Sequence, residues 1–151
     1  MNVLQKVHEI ISAGWVQGWY SAYRRDPQSG NAEHRNFSSK EVNCHCLSGA
    51  VYRAHGAIEL YRIKWADQQK VYGTFEFLVE AMRELHPSMF SSPRDIKGPS
   101  AETCCIAFND SQNKAAVLQL IEHAIKMEEF LSRRPQPQPT PCPENPSSSQ
   151  T

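Results

Sequence analysis

The feature that most constrains this chain is an apolar stripe at helical spacing. Val71, Phe75, Leu78, Met82 and Leu85 recur at i, i+4 and i+7, with Glu76, Glu80, Arg83 and Glu84 on the opposite side. A stripe of that period must be buried against another element, so the chain has to supply partners for it. Pro87 marks its end, because proline cannot continue a helical ladder. Three further segments offer partners. Val3, Leu4, Val7, Ile10 and Ile11 share one face, and Gly14 follows as a C-terminal stop. Asn43 has the chemistry of an N-cap ahead of a helix carrying Leu47, Ala50, Val51, Ala54 and Ile58. Val117, Leu118, Leu120, Ile121, Ala124, Ile125 and Met127 form a face wide enough to touch two neighbours, which puts this last helix at the centre. On its outer side Glu122 with Lys126, and Glu129 with Arg133, stand at i, i+4 in the favourable order. The expected fold is mostly α: one compact domain of about four helices over residues 1–133.

The segments between these helices are less determined. In WVQGWYSAYRR, Trp15, Trp19 and Tyr23 suit a helix face and a strand face equally, and Gly18 weakens both. A small β element is open at 15–23 or at 104–108. Residues 26–40 are polar and turn-rich and read as a surface loop. IELYRIKW, residues 58–65, fits helix and strand alike. SSPRDIKGPSAET reads as a loop leading to the apolar CCIAF, after which Asn109 or Asp110 can cap the final helix. Beyond Arg134 the composition changes, with six of the ten prolines and no residue able to anchor a core. Residues 134–151 are therefore expected to be a disordered or polyproline II tail, and PQPQPTP has a P-x-x-P-like spacing.

Charge and cysteine usage narrow the function classes. Sixteen basic and sixteen acidic side chains balance to zero, and no segment gathers Lys and Arg as a phosphate-binding surface requires, so no nucleic-acid partner is expected. No apolar run reaches the roughly 20 residues that span a bilayer, and the mixed-charge start is unlike a signal peptide. The expectation is a soluble cytoplasmic protein without a membrane partner. Cys44, Cys46, Cys104, Cys105 and Cys142 are an odd set with spacings foreign to a secreted disulfide framework, and are expected as reduced thiols.

Three sites deserve weighing. Cys44, His45 and Cys46 could meet Cys104 and Cys105 around a metal, but neither C-x-C nor C-C gives the knuckle that converges two sulfurs on zinc. On a helix, positions 44 and 46 diverge by about 200°. No metal and no cofactor are expected. Cys46 has a second reading: if Asn43 is the N-cap, it lies in the first turn, where the dipole favours a thiolate. His8, His45, His55, His86 or His123 could then be the base, oriented by Asn109 or Asp110. A packed core cysteine is the favoured alternative. Trp15, Trp19, Tyr20 and Tyr23 with Arg24 and Arg25 could stack a base, although a packed aromatic corner explains them equally.

Gly14-Trp15 followed by Gln17-Gly18 and Tyr20, then Cys46-Leu47 with Gly49-Ala50, then Asn109-Asp110 ahead of V-L-x-L-I-x-x-A-I, resembles one known pattern. It is that of a family of small bacterial and phage proteins bearing the placeholder of domain of unknown function six-one-nine-seven. The resemblance spans most of residues 1–127. Cys44, Cys105 and Phe108, where the pattern has Trp, depart from it. The resemblance implies no activity, but it singles out positions to inspect. The expected function is a non-enzymatic binding or regulatory role toward a protein or small-molecule partner. Its expected ligand-binding residues are Trp15, Gln17, Tyr20, Cys46, Asn109 and Asp110. One alternative is a thiol-dependent hydrolase or transferase with Cys46 as nucleophile. Another, resting only on the family's phage members, is a helical antagonist of a host factor.

Overall fold

The computed structural model describes residues 1–60, 62–91 and 95–143. Among them are five α-helices and a small three-stranded sheet. Helix α1 is Val3–Ala13, α2 Leu47–Ala54, α3 Trp65–Leu85, α4 Pro99–Ser111 and α5 Lys114–Ser132. Strands β1 (Ser21–Tyr23), β2 (Glu33–His34) and β3 (Cys44–His45) pair antiparallel in the order β2-β1-β3, with Ala22 opposite both His34 and Cys44. The fold is mostly α, with five helices rather than four. Of the two places considered for a β element, the first holds β1.

The additional helix is α4. Residues 99–103, read as loop, and CCIAF, considered as a strand, form one helix that starts with Pro99 at its first position and continues through Asn109 and Asp110. Proline suits that position because the first-turn N–H is unpaired in any case. Asn109 and Asp110 are therefore at the end of α4 and do not cap the last helix. Asn113 does, accepting from the Ala116 amide at 2.9 Å. The cap of α2 also differs from expectation: it is Cys46, whose Sγ accepts from the Gly49 amide at 3.4 Å. Asn43 instead clamps the neighbouring strand, accepting from Arg24 N at 2.9 Å and donating to Arg24 O at 2.7 Å.

Helix α2 ends at Ala54 because Gly56 turns the chain at φ 84°, a conformation that side chains resist. Ile58, expected on the α2 stripe, is consequently 72% exposed. Seven of the eight residues of α2 are buried, so α2 rather than α5 is the innermost helix. Helix α5 lies outside it against α1 and α3, through Val117, Leu120, Ile121 and Ala124. Its Glu122 faces His8 of α1 at 3.2 Å and not Lys126. The stripe Val71, Phe75, Leu78 and Met82 is fully buried, and α3 extends six residues further towards the N-terminus than its apolar periodicity shows. The segment 133–143 is exposed and carries no helix or strand; the rest of the expected tail lies outside the described residues. Among the described residues no helix is long and apolar enough to cross a membrane.

Candidate functional site

The residues singled out in the sequence gather around Asn109, which is fully buried near the end of α4. Its Oδ1 accepts from the Trp15 indole N–H at 2.8 Å and from the Leu47 amide at 2.9 Å. Its Nδ2 donates to Val16 O and to Asp110 Oδ1, both at 3.1 Å. An amide side chain offers two acceptor directions and two donors, so Asn109 is saturated. The Leu47 amide belongs to the first residue of α2 and would otherwise be an unpaired buried donor. Gln17 does the converse for α4: its Nε2 faces the carbonyls of Asn109, Asp110 and Gln112 at 3.3, 3.2 and 2.7 Å. Asp110 Oδ1 also accepts from the Gly18 amide at 2.9 Å. One knot thus ties the chain after α1 to the start of α2 and the end of α4.

Two glycines let the backbones close on one another. A Cβ on Gly49 would lie 1.9 Å from Tyr20 O, and one on Gly14 would lie 2.1 Å from Asn43 O. The His45 amide donates to Gly14 O at 2.9 Å, which holds this stretch beside β3. With these contacts in view, the sequence pattern has an explanation: Gly-Trp, Gln-Gly, Cys-Leu, Gly-Ala and Asn-Asp are the parts of this knot. A family described as a family of unknown function (DUF6197) matches residues 1–127. The chain belongs to that family. No curated protein and no solved structure matches it.

For this DUF6197 chain, burial decides the state of the cysteines. Cys46 is 5% exposed, and burial pushes its thiol up to about 11 despite the amides of Gly49 and Ser48 directed at it. The effect expected from a helix start is present but smaller than the desolvation. Cys44, Cys104 and Cys105 are likewise raised, chiefly by burial. Of the five candidate histidines, His45 is held down to about 4, by burial first and then by the Arg53 guanidinium. Arg53 Nε approaches His45 Nε2 at 3.5 Å, and the guanidinium stacks 3.9 Å from the centroid of Phe37. His55 bonds Thr74, His8 faces Glu122, His123 faces Glu84, and His86 lies against the Phe108 ring. Among the described residues, no group of three or more His, Cys, Asp or Glu is placed to hold a metal ion.

Tyr20 leaves the knot and points elsewhere. Its hydroxyl donates to Glu102 Oε1 at 2.8 Å, and the Tyr52 hydroxyl donates to Glu102 Oε2 at 3.0 Å. Gln68 Nε2 donates to the same Tyr52 oxygen at 3.3 Å. Tyr20 and Tyr52 meet edge to face, with centroids 6.3 Å apart. Both phenols are held protonated well above their usual range, first by burial, with the Glu102 charge adding to it. These groups, with Tyr72, Leu60 and Ile63, line a cleft of about 310 Å³. Tyr20 and Leu60 also border an adjoining hollow of about 600 Å³ that runs over Trp19, His34 and Phe37.

Each wall of the cleft has a separate origin. Glu102 stands in the first turn of α4, where a carboxylate complements the helix dipole. Gln68 and Tyr72 are one helical turn apart on α3, Tyr52 is on α2, and Leu60 and Ile63 come from the connector between those helices. Sequence reasoning named only Tyr20 of this set. Residues 99–103 read as loop, which hid Glu102. The i, i+4 spacing of Gln68 and Tyr72 was the one available signal, and Gln68 lies ahead of the apolar stripe that marked the helix.

Proposed function

We propose that this chain is a non-enzymatic binding protein whose small-molecule partner occupies the cleft above Glu102. The supporting observation is the convergence of two phenol hydroxyls on both oxygens of one partly buried carboxylate, at the wall of an open cleft. Small-molecule sites are concave and fix their ligand with a few placed polar groups, which Tyr20, Tyr52, Gln68 and Glu102 supply here. In this reading Tyr20 is a ligand contact. Trp15, Gln17, Cys46, Asn109 and Asp110 hold the framework, since each hydrogen-bonds within the protein. A thiol-dependent reaction at Cys46 finds no support in a thiol that is buried and raised to about 11. All five cysteines are unpaired, which supports a reducing, cytoplasmic location.

The test is a thermal-shift panel of chemically mixed small molecules against the wild type and Tyr72→Ala, which removes one wall and leaves the Glu102 pair intact. Hits that stabilise the wild type and lose that effect in the variant support the cleft. A panel without hits, or hits that act equally on both proteins, overturns it.

A further inference from the structure

The cleft has a distinct electrostatic character. Its lining is Tyr20, Tyr52, Leu60, Ile63, Gln68, Tyr72 and Glu102, so among the described residues one carboxylate supplies the only formal charge and no Lys, Arg or His shares the wall. The two tyrosine hydroxyls each use one direction of the carboxylate, one per oxygen. An ionised carboxylate offers about four acceptor directions, so each oxygen keeps capacity for a further donor. Both phenols donate to the carboxylate and so fix its orientation at the cleft wall.

The aromatic walls favour the same sign. Tyr20 and Tyr52 stand at 61° to one another, and Tyr72 joins them around the cleft. Aromatic rings carry negative quadrupole density on their faces and attract a cation, more strongly where water is excluded. An anion would meet the carboxylate with no basic side chain among the described lining residues to offset it. Leu60 and Ile63 add apolar surface suited to alkyl groups on the ligand. The volume, about 310 Å³, is at the small end of ordinary ligand sites.

Building on the cleft as the binding site, we propose that its ligand class is the small organic cation, an ammonium or alkylated ammonium group seated among Tyr20, Tyr52 and Tyr72 with Glu102 as counter-charge. Gln68 fixes Tyr52 from the α3 side and keeps its hydroxyl on Glu102. The specificity thus comes from charge and aromatic faces together, and a neutral molecule of the same shape should bind less well.

The experiment follows backbone amide NMR shifts of the full chain during titration with choline and, separately, with 3,3-dimethylbutan-1-ol, its uncharged counterpart in shape. The expected result is that choline shifts the amides around Tyr20, Gln68, Tyr72 and Glu102 with an affinity at least tenfold above the neutral probe. Glu102→Gln keeps an acceptor for one tyrosine and reverses the other contact, its Nε2 donating to that phenol oxygen; it should lower the choline affinity at least tenfold while leaving the neutral probe unchanged. Tyr72→Leu, which keeps apolar volume without an aromatic face, should have the same selective effect and provides the test if Glu102→Gln does not fold. Equal affinities for the two probes, or stronger binding of the neutral one at the same amides, overturn the cation inference and leave the cleft standing. No shift at these amides from either probe up to its solubility limit overturns both.

Discussion

Replacing Asn109 with alanine tests the knot most severely. The substitution removes two hydrogen bonds accepted by Oδ1 and two donated by Nδ2. The Leu47 amide and Val16 O are left without a side-chain partner where Leu47 is fully buried and Val16 is 2% exposed. Orphaning a buried backbone group costs about 1–3 kcal/mol each. The Trp15 indole is only half-buried and can turn towards water, so it adds about 0.5 kcal/mol at most. The expected loss for Asn109→Ala is therefore about 2–6 kcal/mol, measured as a fall in the free energy from urea unfolding with an unchanged slope. Trp15→Phe removes one of these bonds and leaves Asn109 bound to Leu47, so it should cost about 1 kcal/mol or less. A loss below about 1 kcal/mol for Asn109→Ala would refute the reasoning, because it would mean that water serves the Leu47 and Val16 groups as well as the side chain does.

Other expectations follow from the same contacts. Gly49→Ala places a methyl group 1.9 Å from Tyr20 O, so the start of α2 and the Tyr20 segment must separate; circular dichroism should show a melting temperature at least about 10 °C lower, and a shift of a degree or two would contradict the close approach. His45, held down to about 4 against an ordinary 6.5, takes up its proton more readily when unfolded. Stability from this group is complete above pH 6.5 and is lost as pH falls towards 4, on the order of 3 kcal/mol. Urea midpoints of the wild type should fall more steeply across that window than those of His45→Gln, and parallel curves would contradict it. Iodoacetamide on the native protein at neutral pH should label the exposed Cys142 first, with Cys46 and Cys105 modified only on unfolding; rapid loss of the Cys46 thiol in the folded protein would restore the nucleophile reading.

The helices that present a strict apolar stripe were legible because burial of that stripe has only one geometric solution. Val71 to Leu85 and Val3 to Ile11 fall where their periodicity put them. Helix α4 was not legible, for a physical reason: its buried residues, Ala101, Cys105, Phe108 and Asn109, include a polar group and two small side chains, so the stripe has little contrast. The caps misled for a related reason. Asn43 and Asn109 are good N-caps, yet tertiary partners, the Arg24 backbone and the Leu47 amide, use the same side-chain chemistry across 19 and 62 residues of sequence. Cys46 could take the cap of α2 because its sulfur accepts from Gly49 while its burial adds to the core. The knot residues were visible as a pattern, and their common place in space was not. The cleft was nearly invisible, since Tyr52, Gln68, Tyr72 and Glu102 come from three helices and form no local motif.

We propose a small-molecule cleft above Glu102, on the same helix, α4, that carries Asn109. The most direct measurement is a crystal structure of the protein soaked with the strongest stabiliser from the thermal-shift panel. The account predicts density for the molecule against Tyr20, Tyr52, Tyr72 and Glu102, with the Asn109 contacts unchanged. Density for that molecule against Trp15, Gln17 or Asp110 instead, with the cleft empty, would contradict it.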